Sequence, residues 1–195
     1  MTQSMTVQRG SALREPAREY VAFPGVPRRD AWQAAIEIPL IVRAFGIARG
    51  LRVLEIGCGR ANAFAPFVAR CAPRRLVGLD IDASLVSEAR RNVKAAGIAA
   101  ELFLGDARRL PFGNAEFDLV FDFGTCYHIT FPDRALAEIA RVLVPGGRLI
   151  HETPFGQLLA HPIRTSGRRL PWSVVPELEP ERDALLFASR VRRTA

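Results

Sequence analysis

Between residues 51 and 152, short apolar runs alternate with amphipathic helical stretches, and four of the runs close on glycine or aspartate. Residues 51–56 run into Gly57-Cys58-Gly59, residues 76–80 end in Asp80, residues 101–104 run into Gly105-Asp106-Ala107, and residues 118–122 run into Phe123-Gly124-Thr125. Residues 148–152 form a fifth run. The intervening stretches carry helical periodicity. Phe64, Phe67, Val68 and Cys71 make one stripe, Leu85, Val86, Ala89 and Val93 a second, and Leu136, Ile139, Ala140 and Leu143 a third. Asp82 stands where a helix N-cap is wanted, and Gly97 and Pro145-Gly146-Gly147 stand where helices must stop. Parallel neighbours need a crossover, usually a helix, so this alternation predicts an α/β chain built on a doubly wound, mostly parallel sheet.

Outside that block the pattern is less regular. Residues 1–20 read as a frayed arm, and residues 23–27 as a turn. Asp30 is placed to cap a helix running to Ala48, which Pro39 should kink or divide. Residues 1–48 are therefore expected to form an arm and helical lid, and residues 49–195 the ligand-binding domain. A short helix is expected over residues 155–161. Residues 172–178 and 185–191 are expected to pair as an antiparallel hairpin turning through residues 179–183.

Composition narrows the class. With 195 residues, 49% hydrophobic and 24% charged, the chain suits one globular domain with a real core. No apolar run reaches the length of a bilayer span, and residues 1–10 lack the apolar core of a secretory signal, so the expected location is the cytoplasm, without stable membrane insertion. Cys58, Cys71 and Cys126 are too few and too scattered for a disulfide framework or a zinc site. The net charge of +7 is almost wholly arginine, Lys94 being the one lysine. It is read as solvated surface rather than a nucleic-acid footprint, because no aromatic-interleaved basic motif accompanies it. Nothing here chooses between a monomer and a homodimer.

In such a sheet, ligands bind beyond the carboxyl ends of the strands, near the point where strand order reverses. The glycines after the first strand allow close backbone approach, and Asp80, some 20 residues on, is placed to accept from ribose hydroxyls. Dinucleotide dehydrogenases use a similar turn, but the full three-glycine form fails here because Asn62 holds its last position. Taken in order, Glu55-x-Gly57-x-Gly59, Gly78-Leu79-Asp80, Gly105-Asp106-Ala107 with Leu110-Pro111-Phe112, Phe117-Asp118-Leu119-Val120 and Leu143-x-Pro145-Gly146-Gly147 resemble the class I S-adenosylmethionine-dependent methyltransferases, of the small-molecule type seen in ubiquinone and menaquinone biosynthesis. The third glycine of that family's loop is replaced here by Ala61.

The resemblance implies a Rossmann-like, seven-stranded sheet closed by the C-terminal hairpin, with S-adenosyl-L-methionine as cofactor and a small-molecule acceptor. It also implies roles by position. Gly57, Cys58 and Gly59 would shape the loop under the methionine moiety, with Glu55 supporting that loop or the amino group. Asp80 would hold the ribose and Ile81 would lie against the adenine. Asp106 and Ala107 would meet the adenine edge, and Asp122 and Phe123 would line the methionine end. His128 is the candidate base, since imidazole can take a proton near neutral pH, the alternative being that it only packs or hydrogen-bonds beside the cofactor. Tyr127, His151 and Trp32 are candidate acceptor-pocket residues. Enzymes that methylate exocyclic base amines usually carry Asn/Asp-Pro-Pro-aromatic after the fourth strand. Asp122-Phe123-Gly124-Thr125 stands there instead, which argues against such a target. The alternative readings are an RNA or other nucleic-acid methyltransferase acting on ribose or ring-carbon targets, and a non-catalytic cofactor-binding protein.

Overall fold

The computed structural model describes residues 27–156, 170–185 and 187–194. Helix α1 (Pro27–Trp32) passes through a π-helical turn, Gln33–Glu37, into α2 (Ile38–Ala44). Strand β1 (Arg52–Ile56) follows, then α3 (Phe64–Cys71), β2 (Arg75–Asp80), α4 (Ala83–Ala95), β3 (Glu101–Leu104) and β4 (Phe117–Asp122). After the short α5 (Thr125–His128) come α6 (Pro132–Val142), β5 (Leu143–Glu152), a 3-10 turn (Trp172–Val174), β6 (Leu178–Ala184) and β7 (Ala188–Arg193). The sheet has seven strands in the order β3-β2-β1-β4-β5-β7-β6. Strands β1 to β5 run parallel and β7 is antiparallel to both neighbours. Strand order reverses between β1 and β4, which leaves a crevice at their carboxyl ends.

Local signals explain most boundaries. Asp82 caps α4 by accepting from the backbone N–H groups of Ser84 and Leu85 at 2.8 and 3.3 Å. The expected stripe of Leu85, Val86, Ala89 and Val93 is the buried face of that helix. In α3, Phe64, Phe67 and Cys71 are buried as expected, whereas Val68 is exposed. Residues on successive strands divide between two packed layers. Val53, Leu76, Leu119 and Phe121 meet α2, α3 and α4 on one face, while Leu54, Ile56, Val77 and Val120 meet α6 and the 107–112 loop on the other.

Three expectations are corrected and one is met. Asp30 lies inside α1 rather than capping it. Pro39 divides the N-terminal helix as expected, the break being the π-turn just before it. The proline ring crowds the carbonyl four residues back, which is Ala35, inside that turn, and the wider turn accommodates it. Pro145-Gly146-Gly147 does not separate helix from strand, because β5 begins at Leu143 and takes up the tripeptide as an irregularity in its pairing with β4. The hairpin exists, but residues 179–183, expected as its turn, lie within the edge strand β6, and residues 172–174 form the 3-10 turn. Of the helix expected over 155–161, residues 154–156 are helical and the remainder lies outside the described residues, as do residues 1–26.

Candidate cofactor and acceptor site

A cavity of about 230 Å³ opens at the carboxyl ends of β1, β2, β3 and β4. Its walls bring together Glu55, Gly57, Cys58, Gly59, Asp80, Ile81, Asp106, Ala107, Phe123 and His128, ten residues singled out by sequence. The glycine loop is built by steric necessity. Gly57 has φ +64°, and a Cβ there would fall 1.8 Å from Thr125 Oγ1, which in turn donates to the Ile56 carbonyl at 3.2 Å. Gly59, at φ +52°, faces open space, so its missing side chain leaves the cavity clear. Ala61 also adopts a left-handed backbone, φ +61°, with its N–H donating to Cys58 O at 2.8 Å.

Asp80 ties this loop to the next strand. One carboxylate oxygen accepts from Gly59 N at 2.8 Å and the other from Asp82 N at 2.9 Å. Each oxygen keeps acceptor capacity for a ligand hydroxyl. Glu55 is the sharper feature. It is buried on the cavity wall, and its Oε2 has no hydrogen-bond partner among the described residues. Burial first, and the nearby charge of Asp80 second, push its carboxyl well above the ordinary range. A buried carboxyl oxygen without a partner at this depth is what a cationic ligand group would satisfy, drawing the carboxyl to its charged form.

Asp106 is more constrained than its expected role requires. Arg108 grips its carboxylate through Nε at 3.0 Å and Nη2 at 2.6 Å, and its own backbone N–H adds a third bond at 2.9 Å. Arg108 reaches on to Thr130 Oγ1 at 2.9 Å, clamping the loop after β3 against the segment after α5. Ile81 is 53% exposed at the mouth, open to stack on a planar ring.

Four other candidates lie off the cavity lining. Asp122 is fully buried and accepts from Cys126 N at 3.3 Å, with burial pushing it up to about 6. Tyr127 packs into the core, where burial raises its hydroxyl. His151 is buried against Trp172 with both ring nitrogens engaged, Nδ1 with the Glu152 carbonyl at 2.7 Å and Nε2 with Ser189 Oγ at 2.6 Å. Burial lowers its pKa to about 4. Trp32 is 42% exposed on the outer side of α1. That helix instead turns Arg29, Asp30 and Gln33 toward the cavity. Arg29 bonds Glu37 at 3.3 Å and Glu152, at the end of β5, at 2.6 Å, with both carboxylates buried. Sequence reading missed Arg29 and Arg108, since neither belongs to a spaced motif.

Comparison with known proteins accords with this geometry. A family model described as a methyltransferase domain matches residues 53–147. Over this segment, just under half of the chain, the protein is similar to methyltransferase domains. The chain is 37% identical over 114 residues to a ubiquinone/menaquinone biosynthesis C-methyltransferase of Bordetella parapertussis, covering 55% of this chain and 44% of that protein. It is 35% identical over 102 residues to a fatty-acid O-methyltransferase of Mycolicibacterium smegmatis, covering 52% and 36%. The chain therefore spans less than half the length of these relatives. A solved S-adenosylmethionine-dependent methyltransferase from Aquifex aeolicus superposes with TM-score 0.69 over 87% of this chain and 98% of that one, at 15% identity, a likeness of fold. Among the described residues, no helix is long and apolar enough to cross a membrane.

Proposed function

We propose that the protein transfers the methyl group of S-adenosyl-L-methionine to a small-molecule acceptor held beside His128. The observation that carries this reading is the cavity wall itself: a buried Glu55 carboxyl whose Oε2 has no partner among the described residues, a loop whose Gly57 and Gly59 carry no side chain, and Asp80 with spare acceptor capacity, on adjoining strand ends. Glu55 would take the methionine ammonium, Asp80 the ribose hydroxyls, and Ile81 one adenine face. Asp106, fixed by Arg108, and the backbone of Ala107 would meet the adenine edge, while Phe123 bounds the methionine end.

The cofactor, when bound, supplies a methyl group on cationic sulfur, a leaving group already activated. What remains for the chain is to hold an acceptor atom in line and to exclude water. A new bond forms to the methyl carbon as the carbon–sulfur bond breaks, and the sulfur keeps the electron pair. A proton on the acceptor must leave, and His128, which lines the cavity, would take it.

The named relatives act on quinone precursors and fatty acids, which supports an acceptor with an apolar body. Supplying methyl-tritiated cofactor with quinol, fatty-acid and RNA acceptors tests this. Label in the organic phase supports it, and label confined to RNA contradicts it. His128→Ala is expected to lower turnover about 100-fold or more for a protonated acceptor while cofactor affinity holds. Equal turnover would remove His128 from the chemistry.

A further inference from the structure

The N-terminal helical segment buries Ile38, Ile41 and Phe45 in the core and keeps a second apolar row exposed. Its polar residues Arg29, Asp30, Gln33 and Glu37 face the cavity or are buried. Its exposed residues are Ala31, Trp32, Ala35, Ile36, Leu40 and Ala44, with Arg43 as the one exposed charge from residue 31 to residue 44. Trp32, Ile36 and Leu40 recur every four residues and keep 42%, 38% and 42% of their surface. Arg43 extends that row by one more turn. Large apolar side chains aligned on an exposed face mark a contact surface rather than scattered surface apolarity.

Charge and size select the occupant. No acidic side chain is exposed along this row, and the chain carries +7 overall. The helix is roughly 25 Å long and its apolar strip is on the order of 400 Å². That is about half of what one partner buries in a stable protein interface. A narrow apolar ridge with a tryptophan at one end and arginine at the other suits the headgroup boundary of a bilayer, where tryptophan settles and cations meet anionic lipid.

We propose that this face docks the protein on an anionic lipid surface, lying in its plane without spanning it. The same segment then has Arg29, Asp30 and Gln33 on the cavity and its exposed apolar row on the membrane, which brings a bilayer-dissolved molecule to the cavity wall. The docking stands apart from the methyl-transfer reading, and its test reads lipid binding alone.

The chain has two tryptophans, at 32 and 172. In the Trp172→Phe protein, Trp32 therefore reports the surface directly. Vesicles of phosphatidylcholine with about 30% phosphatidylglycerol should shift its emission to the blue, and lipids brominated on the acyl chains should quench it. Phosphatidylcholine alone should bind at least tenfold more weakly. Ile36→Glu and Leu40→Glu should each weaken vesicle binding at least tenfold while melting and S-adenosylhomocysteine binding are retained. Two results overturn the proposal. A vesicle-free protein whose concentration-dependent dimer is broken by Ile36→Glu assigns the face to a second copy. A vesicle-free monomer assigns it to the chain's own flanking segments.

Discussion

Arg29→Met removes the guanidinium that stands between two buried carboxylates while roughly preserving side-chain volume. Glu37 and Glu152 are 2% and 1% exposed, and Arg29 bonds them at 3.3 and 2.6 Å across the junction of the N-terminal helix and β5. Losing one partner of a buried pair costs about 3–5 kcal/mol, because the charge left behind is unsolvated. Glu37 has an escape, which is to bind a proton. From an ordinary value of 4.5, holding it neutral at pH 7 costs about 3 kcal/mol, which caps its share. Burial already raises this carboxyl and Arg29 opposes the rise, so removing Arg29 raises it further. A carboxyl raised in the folded state loses stability as pH climbs above its unfolded value. The deficit of the variant should therefore be small near pH 4.5 and grow toward pH 8. Urea unfolding followed by far-UV circular dichroism at several pH values measures it. A loss of about 3–5 kcal/mol near neutrality corresponds to a melting shift of about 6–20 °C for a domain of this size. A deficit under about 0.5 kcal/mol, flat with pH, would refute the idea that Arg29 neutralises buried charge.

Gly57→Ala places a methyl group on Thr125 Oγ1 and should abolish cofactor binding, measured by calorimetry, and Gly57→Ala/Thr125→Ala should restore part of it if that clash is the cause. Ala61→Gly removes a left-handed alanine and should raise stability by about 1 kcal/mol in the same unfolding assay, since glycine alone adopts that conformation freely. His151, held neutral with a pKa near 4, makes the fold lose stability as pH falls from 6.5 toward 4, because the unfolded state binds a proton that the folded state refuses. His151→Gln should flatten that slope, by about 3 kcal/mol across the window at most, and an unchanged slope would assign acid loss to other groups.

How much was legible in the sequence depended on whether the signal was local. The Asp82 cap, the α4 stripe and the glycine and aspartate strand ends need only near neighbours in the chain, and the structure places them within a residue or so of expectation. Trp32 misled because apolar side chains are expected inward, whereas here the inward side of the helix meets a polar cavity and a buried ion pair. Residues 179–183 looked like a turn because they are charged and contain Pro180. Edge strands tolerate both features, having one side unpaired. Tyr127 and His151 were near the site in sequence, but depth within the core is set by packing from α6 and β7, which no local pattern records. Arg29 and Arg108 act through partners 123 and 22 residues away, so their roles appear only once the chain is folded.

The central claim, that this cavity holds S-adenosyl-L-methionine through Glu55 and Asp80, is tested most directly by calorimetric titration with S-adenosylhomocysteine, with NAD as control. The full chain should bind the sulfur ligand in the micromolar range and not NAD. Glu55→Gln and Asp80→Asn should each weaken that binding at least tenfold, about 1.4 kcal/mol, without unfolding the protein. A well-folded protein that ignores the sulfur ligand, or that binds NAD instead, would contradict the account.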